Sequence, residues 1–167
     1  MNYKLSEIKK DLEFVKSKAV ASDLIEKFDL DLVNLFELIS QKEILIPISI
    51  FNDKLSALET ISRYLHQNLQ MSFKKIGELM NRSEKTIWQA HNHSLKKFQR
   101  RLRVGETKYV IPVSAFSDRQ FSNLETIVKF MKEKYFLKYS EIGALLHRDQ
   151  RTIWTVYNRA SKKKNKT

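Results

Sequence analysis

The chain contains no cysteine. Disulfides, thiolate metal sites and a cysteine nucleophile are therefore excluded. Glycine occurs three times and proline twice in 167 residues. So few turn formers argue against a sandwich or barrel and in favour of helices. No apolar run reaches the length needed to span a membrane. Lys and Glu interrupt the N-terminal stretch where a signal sequence would need an apolar core. These absences predict a cytoplasmic protein with no membrane partner. Acidic residues are also scarce, but only in one part of the chain. Residues 46–167 hold 24 Lys and Arg against 10 Asp and Glu, whereas residues 1–45 have a net charge of −2. The net +14 of the longer part suits a polyanionic partner, because clustered cations release counterions when they meet phosphates.

What occupies that basic region is a repeat. Phe73–Lys97 reads FKKIGELMNRSEKTIWQAHNHSLKK, and Tyr139–Lys163 reads YSEIGALLHRDQRTIWTVYNRASKK. Both keep Ile-Gly-x-Leu, then Arg, Thr-Ile-Trp, Asn and Lys-Lys at one spacing. The similarity extends upstream, from Ile46-Pro47-x-Ser49 to Ile111-Pro112-x-Ser114. The offset is 65 residues at the start and 66 after one inserted residue near Gln120. Each Ile-Pro segment is extended or turn-like, since proline disfavours helix in the residue before it. A strand pair between the copies would satisfy both. Next, Ser56-x-x-Glu59 and Ser122-x-x-Glu125 are capping boxes that start a scaffold helix in each copy. Leu58, Ile61 and Leu65 give the first its apolar stripe, and Leu124, Ile127 and Met131 the second.

The quoted segments predict two helices crossing steeply over a tight turn. Close crossing needs a small residue, and Gly77 and Gly143 are placed for it, at a helix cost of roughly 1 kcal/mol relative to alanine. Met80-Asn81-Arg82 and Leu146-His147-Arg148 form the turns. Ser83 and Asp149 stand as N-caps of the second helices. Ile87 with Ala90, and Ile153 with Val156, form their buried sides. Phe98–Val110 reads as a continuation of the second helix through Arg100, Arg101 and Arg103, broken at Gly105. An ordinary helical hairpin would not account for a basic second helix copied twice.

Each unit, from Ser-x-Leu-Glu to Lys-Lys, resembles the promoter-reading fourth region of bacterial sigma factors and the related response-regulator helix-turn-helix. The resemblance covers about 43 residues per copy. It implies that the second helix enters the major groove by its N-terminal turns. The base-edge readers it implies are Glu84, Lys85, Trp88 and Gln89, and in the second copy Gln150, Arg151, Trp154 and Thr155. His93 aligns with Arg159, and both are expected to face DNA. Lys85 and Arg151 suit guanine acceptors, Gln89 and Gln150 adenine, and Glu84 the amino group of cytosine. Arg82, Thr86, Lys96, Lys97, Arg148, Thr152, Lys162 and Lys163 suit phosphate positioning. Trp88 and Trp154 stand where the family usually has polar or basic residues. The favoured expectation is that each indole covers the edge of its core; contact with a thymine methyl is the other.

The remaining motifs are discounted. His91-Asn92-His93 cannot share a metal, because residues i and i+2 of a helix lie about 200° apart. No Gly-rich phosphate loop and no catalytic constellation is present. In residues 1–45, Leu5, Ile8, Leu12 and Val15 form one helical stripe, and Leu30–Ile39 a second apolar run behind Asp29 or Asp31. The expected fold is all-α. It comprises an N-terminal helical segment (1–45), a first helix-turn-helix repeat (46–103), a linker (104–110), a second repeat (111–163) and a basic tail (164–167). The expected function is sequence-specific double-stranded DNA binding in transcription regulation, with nucleoid association, no cofactor, no metal and no enzymatic activity. Residues 1–45 are the expected contact for RNA polymerase or another protein. A protein-interaction adaptor and an RNA-binding protein are the rival readings.

Overall fold

A computed structural model of the chain describes residues 12–29, 31 and 43–164. The chain divides into two compact units, Met1–Lys42 and Glu43–Thr167. Of the first, the described part is one helix, α1, Leu12–Phe28, closed by Asp29 in the left-handed conformation. The proposed stripe at Leu5 and Ile8 and the Leu30–Ile39 run, apart from Asp31, lie outside the described residues. No described helix is long and apolar enough to cross a membrane.

The second unit begins with strand β1, Leu45–Pro47, and a 3₁₀ turn, Ile48–Ile50. Helix α2, Ala57–Arg63, follows and loosens into a π turn, Tyr64–Asn68. Helices α3, Phe73–Leu79, and α4, Glu84–Lys97, complete the first copy. The second copy repeats the order: β2, Val110–Pro112, a 3₁₀ turn Val113–Phe116, α5, Asn123–Lys134, α6, Tyr139–Leu146, and α7, Gln150–Lys164. The unit is mostly helical, and its single sheet among the described residues has two strands.

Local chemistry explains the boundaries. Ser56 and Ser122 accept from the backbone N–H of Glu59 and Glu125 at 3.3 Å, while those carboxylates accept from the serine N–H groups at 2.8 Å. Both predicted capping boxes are thus formed. Ser83 accepts from the N–H of Thr86 at 3.2 Å, and Asp149 from that of Arg151 at 2.7 Å, capping α4 and α7. Gly77 and Gly143 are buried at the crossings; a Cβ there would meet the carbonyl oxygen of Arg82 at 2.6 Å or of Arg148 at 2.7 Å. Asn81 and His147 occupy the same place in the two turns, both with left-handed φ near 50°. Ile87, Ala90, Ile153 and Val156 are buried as expected, together with Ile61, Leu65, Ile127 and Met131.

Several boundaries depart from expectation. Leu45, assigned to the N-terminal segment, belongs to β1, and Lys164, assigned to the tail, to α7; the rest of the tail, 165–167, lies outside the described residues. Helix α4 stops at Lys97, and Phe98 turns extended (φ −145°, ψ 101°), so Arg100, Arg101 and Arg103 lie in a connecting segment, not in a helix. Val110, assigned to the linker, already belongs to β2. The cause of the early end of α4 is Arg63, which is 1 % exposed. Its Nη1 donates to the carbonyls of Ser94 and Phe98, and its Nη2 to that of Arg100 at 2.8 Å. A guanidinium at a helix C-terminus satisfies the last carbonyls and opposes the helix dipole, so the chain stops there.

The copies interlock. Strands β1 and β2 pair antiparallel, with Ile46 opposite Ile111 and the flanking pairs Leu45–Pro112 and Pro47–Val110. Ile48 N–H donates to the carbonyl of Tyr109 at 3.0 Å, and Val113 N–H, its counterpart, to that of Ile44 at 2.8 Å. Helix α3 of the first copy packs on the 3₁₀ turn of the second, α6 on that of the first, and α2 touches α5. One contiguous apolar cluster runs through both copies, from Ile46 to Val156.

Candidate nucleic-acid interface

The outer faces of α4 and α7 carry the residues singled out in the sequence. Their buried sides take Ile87, Ala90, Ser94 and Ile153, Val156, Ala160. The helical period then turns Glu84, Lys85, Gln89, His93 and Lys96 outward on α4, all exposed. On α7 it exposes Gln150, Arg151, Thr152, Thr155, Arg159 and Lys162. Each set therefore lies on one helix, beginning at its N-terminal turn. The Thr155 hydroxyl donates back to the Arg151 carbonyl at 2.9 Å, leaving its lone pairs outward. The Thr86 hydroxyl lies 2.8 Å from that of Ser83 and is shared with the cap.

The indoles correct an expectation. Trp88 and Trp154 are 50 % and 52 % exposed and lie outside the apolar cluster instead of covering its edge. One residue past the buried Ile87 or Ile153 is a 100° rotation, which carries the indole to the flank. It sits there one turn from Lys85 or Arg151, in the midst of the polar face.

Several cations placed on phosphates have partners inside the protein. Lys97 Nζ lies 2.7 Å from Glu59 Oε1, and Lys163 Nζ 2.7 Å from Glu125 Oε2. Each ties the end of the second helix to the start of its scaffold helix. The carboxylates are nearly buried, and burial pushes their pKa up. The lysine, together with the N–H and hydroxyl of Ser56 or Ser122, outweighs burial and holds each below the ordinary 4.5. Both pairs thus contribute stability that is fully present above pH 4.5 and lost as pH falls through the lowered folded values. Lys97→Ala is accordingly expected to act first on folding: it leaves Glu59 short of a partner, at a cost of about 1–2 kcal/mol. Lys96→Ala, an exposed neighbour, should leave the thermal midpoint unchanged. Equal midpoints for the two variants would show that the Glu59 pair contributes nothing.

Arg148 is likewise engaged. It donates to the carbonyls of Asp53 at 3.4 Å and Leu55 at 3.0 Å, on either side of Lys54 in the other copy. The equivalent place in the other copy brings in a residue missed in the sequence. Arg119, the counterpart of Lys54, donates to the carbonyl of Asn81 at 3.2 Å. Burial, and after it the nearby Arg119 charge, hold the Arg82 guanidinium below its ordinary pKa. Only the reciprocal packing reveals Arg119; its sequence context, beside the inserted residue, carries no such signal.

The first copy also holds a buried histidine. His91 packs among Phe73 (5.3 Å between ring centroids) and His66 (4.8 Å), where the second copy has Tyr157 beside Tyr139. Burial holds its pKa below the ordinary 6.5; the Asn92 side chain opposes this, and the His66 and Arg63 charges reinforce it. The folded state prefers the neutral ring, so its contribution is full above pH 6.5 and declines as pH falls below that. Parent protein should melt progressively earlier between pH 7 and 5.5, and His91→Phe should flatten that slope. An unchanged slope in the variant would assign the effect elsewhere. Compared with protein-family models, curated proteins and solved structures, the chain matches none, and its own residues are the basis for reading this surface.

Proposed function

We propose that residues 43–167 are a tandem helix-turn-helix unit that binds double-stranded DNA sequence-specifically, in a regulatory role. The observation that carries the reading is the doubled outer face: α4 and α7 each align basic, amide and indole groups on one exposed side, starting at a capped N-terminus. Those groups complement base edges in a major groove wide enough for a helix. The scaffold residues match between copies while the outward ones differ, as two readers of different half-sites require. Lys96, Lys162, Arg82 with Arg119, and Lys54 beside Arg148 supply cations for phosphates. The half-exposed indoles suit apolar contact with thymine methyl groups.

Selection from a random duplex library with the full chain at moderate salt tests the reading. An enriched motif is expected, with affinity falling steeply as salt rises. Retention of RNA in preference to every duplex would replace DNA with RNA as the partner, and no enrichment would remove sequence specificity. Within the enriched site, Arg151→Ala should lose about 1–3 kcal/mol of affinity and relax preference at one guanine. A uniform loss across all sequences would move Arg151 to the backbone contacts.

A further inference from the structure

The geometry points to a DNA site that is an imperfect inverted repeat, read about a pseudo-twofold axis internal to this one chain. The inference rests on the DNA-binding reading above, and adds to it the orientation of the half-sites. Tandem repeats in sequence suggest tandem half-sites, but the packing of the copies is reciprocal, not translational. Ile46 and Ile111 are counterparts, and they face one another at the centre of the strand pair. The flanking pairs Leu45–Pro112 and Pro47–Val110 exchange with one another when the copies are swapped. So do the two backbone bonds, Ile48 to Tyr109 and Val113 to Ile44. A translation or a screw pairs equivalent strands in parallel; only a twofold operation pairs them antiparallel through the same residue.

The helices obey the same operation. Helix α3 rests on the second copy's 3₁₀ turn while α6 rests on the first copy's, and the axis passes where α2 meets α5. Arg119 on the Asn81 carbonyl answers Arg148 on the carbonyls flanking Lys54. The readers α4 and α7 are carried by these scaffolds, so they too are related by the axis. B-DNA has its own local dyads, and a twofold pair engaging one duplex meets opposite strands in equivalent ways. Half-sites are then inverted. They are unlike in sequence, because Glu84, Lys85, Gln89 and His93 are answered by Gln150, Arg151, Thr155 and Arg159.

The test uses the full chain and the duplex enriched from the random library. Two half-sites in opposite orientation are expected. Turning one half-site around in place, at fixed spacing, should weaken binding at least about tenfold, the loss that a few mismatched pairs produce. A second variant, carrying Q150E, R151K, T155Q and R159H, gives both helices the same outward residues. Selection with it should return a near-perfect palindrome. Direct repeats in either selection, a single half-site without a partner, or indifference to the reversal would overturn the inverted arrangement while leaving DNA binding intact. Failure to retain any duplex would instead remove the DNA-binding reading, and this inference with it.

Discussion

Arg63→Ala is expected to melt roughly 10 °C below the parent chain, the shift that about 3 kcal/mol produces in a unit of this size. The Arg63 side chain is buried, and its donors satisfy the carbonyls of Ser94, Phe98 and Arg100, with Nε on Gln67 Oε1 at 2.9 Å. Each buried acceptor left unpaired costs about 1–3 kcal/mol. Truncation also leaves a cavity beside Phe98, whose ring lies 5.6 Å from the guanidinium carbon. Lysine should rescue less than half of the loss, because a point charge cannot reproduce the planar fork. The second copy has Lys129 at the matching position, where it lies over the Phe121 ring at 4.2 Å. Lys129→Ala should therefore change the midpoint by less than about 2 °C. Equal losses from the two substitutions would show that the carbonyl bonds are not what Arg63 contributes.

Gly77→Val and Gly143→Val should each destabilise by about 3 kcal/mol, the upper end of overpacking costs. Neither glycine has a positive φ, so backbone freedom is not the reason for them. The reason is the approach of the turn. A Cβ would meet a backbone carbonyl oxygen at 2.6 or 2.7 Å, and that oxygen belongs to the residue just before the cap of the second helix. The same glycine carbonyl accepts from the N–H of Arg82 at 2.8 Å or of Arg148 at 2.9 Å, so the turn cannot simply retreat. Alanine gains roughly 1 kcal/mol in helix propensity and should still come out destabilising. Chemical denaturation of the valine variants checks this; a stability equal to the parent's would sink the close-crossing account.

Much of each copy is legible because it depends on near neighbours. The capping boxes at Ser56 and Ser122, the caps at Ser83 and Asp149, the crossing glycines and the buried faces of α4 and α7 all follow from spacings of a few residues. What was not legible depends on groups far apart in the chain. The segment after Lys97 reads as more helix until Arg63, more than thirty residues earlier, takes its carbonyls. Lys97 and Lys163 look like free cations until Glu59 and Glu125 are seen opposite them. The indoles of Trp88 and Trp154 looked like core covers because large apolar groups are usually buried; only the rotation of each helix about its axis places them outside. The sense of the repeat, reciprocal and not translational, lies wholly in pairings between the copies.

The paired strands carry a last consequence, one of mass action. Two protomers that meet through such a ladder separate on dilution, and occupancy of their shared site then varies with the square of concentration. Here both halves belong to one covalent chain, so the second contact is intramolecular, at an effective concentration on the order of millimolar. Assembly of the pair is independent of copy number, and binding of the inferred site is first order in protein. Subunit exchange is impossible as well. Two unlike helix faces, those of α4 and α7, stay matched in fixed one-to-one stoichiometry, a pairing that separate chains secure only by discriminating against their own homodimers.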